Sequence, residues 1–306
     1  MKFKNLDKYY NKKWILFIDQ LLFRFKDDAV TAIGAQLTYY LILSIFPFLI
    51  FFLNILSFTP IAREDIFGGL IIVLPIETQK ILSGIITEIV QSSSETLLSL
   101  GAITGIWAAS KGIMAVIRAI NRAYDFEESR SYWRLRGLSI VFTLALLILL
   151  TLVFLTLVFG ELLGNKVFAF IGKTETFITI WRYFRVAISL FSMILIFALL
   201  YKFSPSTKKE RRIKFKNTLP GAIFASIGWI IISTIFSYYV NNFGNFSKTY
   251  GSLGGIIVLL IWLYISSIII VLGGEINATL ESFREDGFVT YSKDSFLNRH
   301  KYRKKP

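Results

Sequence analysis

Two ionisable residues interrupt long apolar stretches of the chain, and they are the first candidates for a chemical role. Lys111 lies in the stretch 97–117, and Glu275 lies in the last apolar stretch. Because ionisable residues inside membrane spans usually mark functional sites, we predict that these two side chains pair. The pair is either a structural contact or part of a pathway for an ion, a proton or a polar headgroup. Arg118, at the polar boundary of its stretch, is the alternative partner for Glu275.

The first apolar stretch, 31–58, carries polar side chains on or beside one helical face and then a proline, namely Gln36, Tyr39, Tyr40, Ser44 and Pro47. An amide or hydroxyl without a partner in hydrocarbon is costly, so we expect this face to contact protein or water rather than lipid. Pro47 lacks an N–H and should kink the helix, and the Ser44 hydroxyl is placed to bond the backbone freed there. The face is either a packing surface or the lining of a substrate path.

The chain lacks most of the side chains that enzymes use for catalysis. It contains no cysteine, and its single histidine, His300, lies in a basic C-terminal segment. Disulfides, thiolate metal sites, histidine-based zinc sites and Ser/His triads are therefore excluded. Hydrolysis of RNA needs a metal held by carboxylates or His and Lys acid–base groups, and the acidic residues form no recognisable array of that kind. We predict no catalytic residues, no cofactor, no bound metal and no enzymatic activity.

The composition indicates a membrane protein. Of the 306 residues, 54% are hydrophobic and only 18% are charged, with a mean hydropathy of +0.59. A soluble domain has about 45–50% apolar and about 25% charged residues. The excess of apolar side chains must face lipid, which predicts an all-α, polytopic membrane protein.

Six stretches are long and apolar enough to span a bilayer, which takes roughly 20 residues. Each must be a helix, because a lone strand would leave its backbone unpaired in hydrocarbon. Pro220 suits a first helical turn, and Gly221, Ala225 and Gly228 predict a close-packing face on the fifth span. The six predicted spans are 31–58, 97–117, 137–163, 177–203, 218–240 and 251–280.

Two shorter apolar segments are predicted to be amphipathic rather than spanning. Segment 14–25 contains Asp19 and Arg24, and its apolar residues recur at helical spacing, which favours a helix on the membrane surface over a signal peptide. Segment 66–90 contains Pro75 and several charges. We predict one integral membrane domain, with an amphipathic N-terminal segment (1–28), a six-helix core (29–283) that includes an amphipathic outer segment (61–96), and a basic tail (284–306).

The basic residues are distributed asymmetrically between the two sides of the predicted topology. The net charge is +14, and 26 of the 34 Lys and Arg residues lie in the N-terminal segment, the loops 118–136 and 202–216, and the C-terminal tail. Cytoplasmic loops carry an excess of Lys and Arg, so we predict that both termini are cytoplasmic. Attraction to anionic lipid headgroups, about 1 kcal/mol per basic residue, explains the charge without nucleic acid as a partner.

Three sequence blocks resemble the YihY/BrkB family of bacterial inner-membrane proteins, formerly labelled ribonuclease BN. They are 28–47 with Tyr-Tyr-x-x-x-Ser-x-x-Pro, 107–125 with Ser-Lys-Gly and Arg-Ala-Ile-Asn-Arg-Ala-Tyr-Asp, and 219–278 ending in Gly-Gly-Glu-Ile-Asn-Ala. The resemblance implies six membrane helices, cytoplasmic termini and an inner-membrane location, but no established chemistry. Within these blocks, Asn121 and Asn277 join the candidate functional residues.

The leading hypothesis for function is a transporter or flippase-like protein that handles a lipid or small polar solute for the cell envelope. The polar face of the first span, Pro47, and the predicted Lys111–Glu275 pair motivate it. The alternative is a non-catalytic scaffold that binds partners through its basic loops. The expected partners are the bilayer and its anionic headgroups, and a homo-oligomer is compatible with both hypotheses.

Overall fold

The computed structural model describes residues 13–57, 95–170, 174–206, 213–244 and 246–285, together with Gln79 and Ser83. Every regular element within these ranges is helical, which confirms the predicted fold class. The predicted amphipathic segment at 66–90 lies outside the described residues apart from those two positions, and the tail beyond 285 also lies outside them.

Six long helices coincide with the six predicted spans. In chain order, the helices are α1 (Lys13–Asp27), α2 (Val30–Ser57), α3 (Glu95–Ala123), α4 (Tyr132–Phe170), α5 (Thr174–Phe203), α6 (Phe215–Phe243), the short α7 (Phe246–Tyr250) and α8 (Gly254–Glu285), with a 3-10 turn (Gly251–Leu253) before α8. By length and hydropathy, α3, α4, α5, α6 and α8 can each cross a bilayer. α2 supplies the sixth crossing when α1 and α2, bent by 56° where they meet, are counted as one broken span.

The outer surfaces of α4 and α5 are those of a protein in lipid. Val141, Ile148, Val186 and Phe191 are each more than 60% exposed. A contiguous apolar surface of this kind is unfavourable in water and favourable against acyl chains. The exposed side chains therefore agree with a membrane location.

α1 presents an apolar stripe to the outside and a more polar face to the protein. Trp14, Ile18 and Leu22, spaced four residues apart, are 79%, 54% and 57% exposed, whereas Gln20 and Arg24 are buried. This agrees with the predicted surface helix, whose apolar side enters the headgroup region. The buried polar face was not predicted, and it positions Arg24 for the contacts described below.

Each long helix packs against its neighbours in a closed order, α2–α3–α4–α5–α6–α8 and back to α2, and α8 also contacts α1 and α3. The main core cluster draws on α2, α3, α5, α6 and α8, with Leu37, Ile120 and Ala225 among its members. The Tyr201 hydroxyl on α5 donates to the Ile270 carbonyl on α8 at 2.7 Å. α8 is therefore the helix around which the core is organised.

Helices α6 and α8 cross closely because Gly221 has no side chain and because Asn277 of α8 bonds the backbone of α6. A Cβ at Gly221 would overlap the Gly273 carbonyl oxygen and the Asn277 amide, which confirms the predicted close-packing face. Asn277 accepts from the Gly221 N–H at 2.7 Å and donates to the Thr218 carbonyl at 3.0 Å. It thus satisfies backbone groups beside Pro220, where a proline interrupts the regular hydrogen bonding of a helix.

Candidate functional site

The structure does not form the predicted pair of Lys111 and Glu275. Lys111 is exposed on the outer surface of α3, whereas Glu275 is fully buried in α8, and no ion pair joins them. A Cβ at Gly112 would contact Leu41 and Tyr40, so the residue after Lys111 faces α2 while Lys111 itself points away from the core. The prediction was wrong because matching depths in two helices do not fix the directions in which their side chains point. The alternative partner, Arg118, is also exposed and forms no ion pair with Glu275.

Glu275 instead lies just beneath a layer of charged residues. Its side chain is 0% exposed, and neither carboxylate oxygen has a hydrogen-bond partner among the described residues. The charged side chains that act on it most strongly are Asp28, Arg24, Asp125 and Arg122. The Thr279 hydroxyl, one turn further along α8, is likewise buried and without a hydrogen-bond partner in the described part of the chain.

The charged layer ties α1 to the end of α3. Arg24, which is buried, donates to the Ala123 carbonyl at 2.8 Å and pairs with Asp125 at 3.3 Å. Arg122 contacts Asp28 at 3.4 Å. Burial, together with the nearby charge of Asp125, raises the pKa of Asp28 above its usual range despite the two arginines. Sequence reasoning missed this layer, although the placement of Asp28 directly before a span and of Arg122 one turn after Arg118 is a usable signal.

A second network joins the α3–α4 and α5–α6 connections. Asn121 is buried, donates to Glu128 at 2.7 Å and accepts from the Ser206 N–H at 2.7 Å. Glu128 accepts two hydrogen bonds from the Arg130 guanidinium, at 2.6 and 2.7 Å, and Arg130 reaches the Ser204 carbonyl at 2.8 Å. Burial acts to raise the pKa of Glu128, but the hydrogen bonds from Arg130 outweigh it and hold that pKa below the ordinary value. Asn121 therefore holds the two connections in place.

These contacts bring the predicted basic loops to one end of the bundle, which we call the basic end: the described residues of α1, of the connections 124–131 and 204–214, and of the last turns of α8. An open cleft of about 390 Å³ lies there. Arg118 and Arg122 are exposed at this cleft and give it two cationic groups beside its acidic ones. Its lining residues are Asp28, Arg118, Asn121, Arg122, Asp125, Phe126, Glu127 and Glu128.

One predicted basic-loop residue has a different environment. Arg136, near the start of α4, is only 2% exposed; its guanidinium lies 3.8 Å from the Trp107 ring centroid and donates to the Trp107 carbonyl at 2.8 Å. The counting of loop charges cannot reveal such a contact, because Arg136 and Trp107 meet only through the packing of α3 on α4. Arg136 is therefore a packing residue in the described structure.

Some polar residues of α2 are buried in the helix bundle, and others are exposed on its outer surface. Gln36 and Tyr39 are exposed, Tyr39 by 59%, so of the two predicted environments, protein or water, they do not face the protein interior. That they contact water rather than lipid stays a prediction. Tyr40 is half-buried, and Ser44 is buried with its hydroxyl donating to the Leu41 carbonyl at 2.9 Å. The helix turns other residues inward because they allow closer packing: Gly34, Leu37 and Thr38 are buried.

α2 continues as a helix through Pro47 to Ser57, and the side chain of Pro47 lies outside the described ones. The kink expected at Pro47 therefore stays a prediction.

The exposed polar residues of α2 and α3 lie on one side of this helix pair. The two helices are antiparallel, with Asp28 beside Arg122 and Tyr40 beside Gly112. At 3.6 residues per turn, Gln36 is about 200° around α2 from Gly34, the position that faces α8. Lys111 is about 180° around α3 from Ile120, which contacts α8 at Gly274. Both polar faces thus point away from α8.

We call this surface the polar strip. It begins at Thr104, near the start of the bilayer-crossing segment Ile103–Ala123 of α3, and reaches the cleft at the basic end, where Arg118 belongs to both. Exposed apolar side chains flank it, with Ile103 at 68%, Trp107 at 47% and Leu43 at 49%. It consists of Gln36, Tyr39, Thr104, Lys111 and Arg118, all exposed.

Comparison with known proteins gives one family match and several relatives. The chain matches the family of the virulence factor BrkB over residues 21–294. A Bacillus subtilis (strain 168) protein named as the ribonuclease-like protein YfkH is 39% identical over 264 residues, which cover 86% of this chain and 94% of that protein. A UPF0761 membrane protein of Pseudoalteromonas atlantica is 26% identical over 290 residues, 92% of this chain and 90% of that protein. No solved structure matches the chain.

Proposed function

The chain belongs to the family of the virulence factor BrkB, and on that premise we propose that it is a flippase-like transporter that moves the headgroup of an anionic lipid along the polar strip. Family membership establishes a membrane protein and carries no established activity. The proposal therefore depends on the surface of α2 and α3. It narrows the sequence-based hypothesis, which named a lipid or a small polar solute, to a lipid.

Lys111 is the observation that carries the proposal. It is exposed on α3 within the bilayer-crossing segment Ile103–Ala123, and exposed apolar side chains lie beside it. A lysine at the centre of a spanning helix costs about 2.5–3.5 kcal/mol on insertion scales. An anionic lipid phosphate supplies the missing counter-charge, and it can reach an outward-facing site directly from the bilayer.

The rest of the polar strip supports a path rather than a single site. Gln36 and Tyr39 offer hydrogen-bonding groups on the α2 side. Because Tyr40 lies beside Gly112, Tyr39 is about level with Lys111, and Gln36 lies nearer the basic end. Arg118 and Arg122 bring cationic groups to the cleft at the basic end, where Arg122 also pairs with Asp28 and acidic side chains line the same wall. Arginine pairs well with phosphate because its planar guanidinium donates two parallel hydrogen bonds.

The location and orientation follow from the same proposal. We infer a bacterial cytoplasmic membrane with the basic end in the cytoplasm, since Lys and Arg are enriched in cytoplasmic loops. There the cleft faces the headgroups of the inner leaflet. The polar strip then runs from those headgroups toward the opposite leaflet.

We propose no enzymatic activity, and the ribonuclease-like name of the Bacillus subtilis relative is not carried over to this chain. Three of the four acidic residues that line the cleft form ion pairs with arginine, namely Asp28–Arg122, Asp125–Arg24 and Glu128–Arg130. Such pairs stabilise the loops. The test is incubation of the purified protein with labelled RNA and added Mg²⁺ or Mn²⁺, where no cleavage above that of a mock purification is expected.

The second candidate is a scaffold that binds partners at the basic end. Asn121 accepts a hydrogen bond from the connection after α5 and Arg130 donates one to it, which makes that end one defined surface and favours this alternative. Neutralising the basic residues of 208–216 should abolish a scaffold's function and leave lipid movement intact. The reverse pattern supports transport.

The direct test is transbilayer lipid movement in vesicles. Purified protein is reconstituted with fluorescent phosphatidylglycerol, and the fraction reached by an external quencher is followed over time. Lys111→Met should slow the movement about tenfold or more, because a charge-assisted hydrogen bond contributes about 1.5–3 kcal/mol. Lys216→Met, an exposed lysine outside the polar strip, is the matched control and should behave as the unchanged protein. Lipid movement in Lys111→Met that is as fast as in Lys216→Met would overturn the proposal.

A further inference from the structure

Glu275 and Arg24 are two buried ionisable groups with unused hydrogen-bonding atoms, and no role proposed above involves them. Glu275 is 0% and Arg24 8% exposed. Both Glu275 oxygens and the Arg24 Nε lack a hydrogen-bond partner among the described residues. Buried polar groups are nearly always paired, so a specific exception calls for an explanation.

An ionised Glu275 is not compatible with the described arrangement. A carboxylate taken out of water costs several kcal/mol unless good hydrogen bonds replace its hydration, and here no donor contacts it. A neutral carboxylic acid removes most of that cost, since the charge is gone. The described structure therefore corresponds to the protonated state.

The groups around Glu275 supply a partner for the deprotonated state. Five charged or titratable groups lie near enough to act on its charge: Arg24 of α1, Asp28 of the α1–α2 turn, and Arg122, Tyr124 and Asp125 at the end of α3. From α5, Tyr201 lies beside Gly273 and Gly274, and its hydroxyl donates to the Ile270 carbonyl. α6 contributes Asn217, which donates to Glu281 of α8 rather than to Glu275. Of the two cations, Arg24 is the buried one, and its present acidic partner, Asp125, is exposed to solvent.

We propose that Glu275 binds an exchangeable proton, and that loss of this proton transfers the Arg24 guanidinium from Asp125 to Glu275. The proton leaves the Glu275 carboxyl for water in the cleft at the basic end, and Glu275 becomes a carboxylate. Arg24 keeps its own charge throughout, and its Nε, unused now, becomes a donor to the new carboxylate. Asp125, already at the surface, is left to water.

The exchange has a structural consequence because Arg24 fastens α1 to the end of α3. In the protonated state, Arg24 bonds Asp125 and the Ala123 carbonyl. When the guanidinium moves to Glu275 on α8, its contact with Asp125 is lost. Helix α1 is then attached to α8 rather than to the end of α3. Ala29, with φ +52°, lies in the turn where α1 and α2 meet at 56° and is the natural hinge. This inference goes beyond the proposed lipid path and does not depend on it.

Infrared spectroscopy tests the proton site. The full chain in lipid nanodiscs should show the C=O stretch of a protonated, weakly hydrogen-bonded carboxylic acid near neutral pH, and the band should diminish on alkaline titration. Glu275→Gln should remove it, whereas Glu281→Gln, which alters a partly exposed and hydrogen-bonded acid of the same helix, should leave it. A spectrum that is unchanged in Glu275→Gln overturns the proposal.

Spin labels test the switch of Arg24. The chain has no cysteine. A protein that carries both Leu22→Cys on α1 and Glu127→Cys after α3 therefore takes up spin labels at these two positions and nowhere else. Both positions are exposed. The distance between the labels should increase when the pH is raised from neutral to alkaline and stay short in Glu275→Gln. Asp125→Asn should give the longer distance at both pH values. The switch is contradicted if the distance between the labels still changes with pH in Glu275→Gln. It is also contradicted if that distance does not change with pH in the labelled protein that keeps Glu275.

Discussion

Asn121 shows how a single buried amide can hold two connections of the chain together. Its side chain bonds Glu128 on one side and the backbone of Ser206 on the other. Sequence reasoning placed it among candidate functional residues, and the structure gives it a positioning role beside the cleft. The distinction matters for mutagenesis, since loss of Asn121, which also lines the cleft, would disturb the two connections as well as remove a polar group from the cleft wall.

The first prediction concerns this amide. Asn121→Ala leaves Glu128 with one donor fewer and the Ser206 N–H without its acceptor, which should cost about 1–3 kcal/mol for each unsatisfied buried group. Thermal unfolding of the purified protein should shift to lower temperature. Glu127→Ala, an exposed neighbour, serves as the control and should unfold as the parent does.

The second prediction concerns pH. The folded pKa of Glu128 is lower than its unfolded pKa, so its contribution to stability is fully present above the unfolded value and is lost as the pH falls through the folded value. Acidification should therefore lower the unfolding temperature of the parent protein more than that of Glu128→Gln. Parallel acid profiles for the two proteins would refute the assignment.

At the scale of elements, the crossing of α6 and α8 brings the two backbones close enough that a Cβ at Gly221 would overlap the Gly273 carbonyl oxygen. Gly221 and Gly273 allow the two backbones to approach, and Asn277 forms hydrogen bonds with the backbone groups on either side of Pro220. In membranes, small residues at helix crossings supply packing that the hydrophobic effect cannot provide between apolar helices. The crossing therefore fixes α8, and with it Glu275, relative to α6.

The third prediction tests this crossing. Gly221→Ala would place a methyl group into the Gly273 carbonyl, a backbone atom that cannot rotate away. We expect marked destabilisation in detergent unfolding experiments. At Gly137 on α4, an added Cβ meets nothing within 4 Å, and alanine there should be neutral or stabilising by up to about 1 kcal/mol.

How far the sequence predicts the structure is clearest for the helices. The predicted spans coincide with six long helices, because bilayer thickness dictates the length of a span and the hydrocarbon interior dictates its hydropathy. Length and hydropathy did not determine how each helix is rotated about its axis, so Lys111 was paired with the buried Glu275 although it lies on the outer surface. The rotation of a helix depends on which small residues allow the closest packing, such as Gly34 of α2 against Ile268 of α8. It therefore depends on two segments that are far apart in the sequence.

The candidate site was only partly predictable for the same reason. Glu275 stands out in the sequence as an acid among apolar residues, and the structure does bury it. Its neighbours Arg24 and Asp125 come from segments about 100 residues apart, and only the packing of α1 on α8 and α3 brings them together.

For the whole molecule, the clustering of basic segments at one end is the feature that orients it. The structure gathers the described parts of these segments around the cleft, and the positive-inside rule predicts that this end is cytoplasmic. The fourth prediction follows: a single cysteine at Glu210 should react with a membrane-impermeant reagent only after the cells are opened. A cysteine at Asn241, at the opposite end of α6, is the control and should react in intact cells.

On the proposed lipid path, Lys111 contacts the headgroup as the lipid crosses the bilayer, and reversing the charge of this side chain tests that contact. Reconstituted protein should move fluorescent phosphatidylglycerol faster than fluorescent phosphatidylcholine of the same acyl composition, because Lys111 complements the net negative charge. Lys111→Glu should abolish or invert that preference while the protein remains folded, since the side chain is exposed. If Lys111→Glu keeps the same preference for phosphatidylglycerol, the polar strip does not carry headgroups and the account is contradicted.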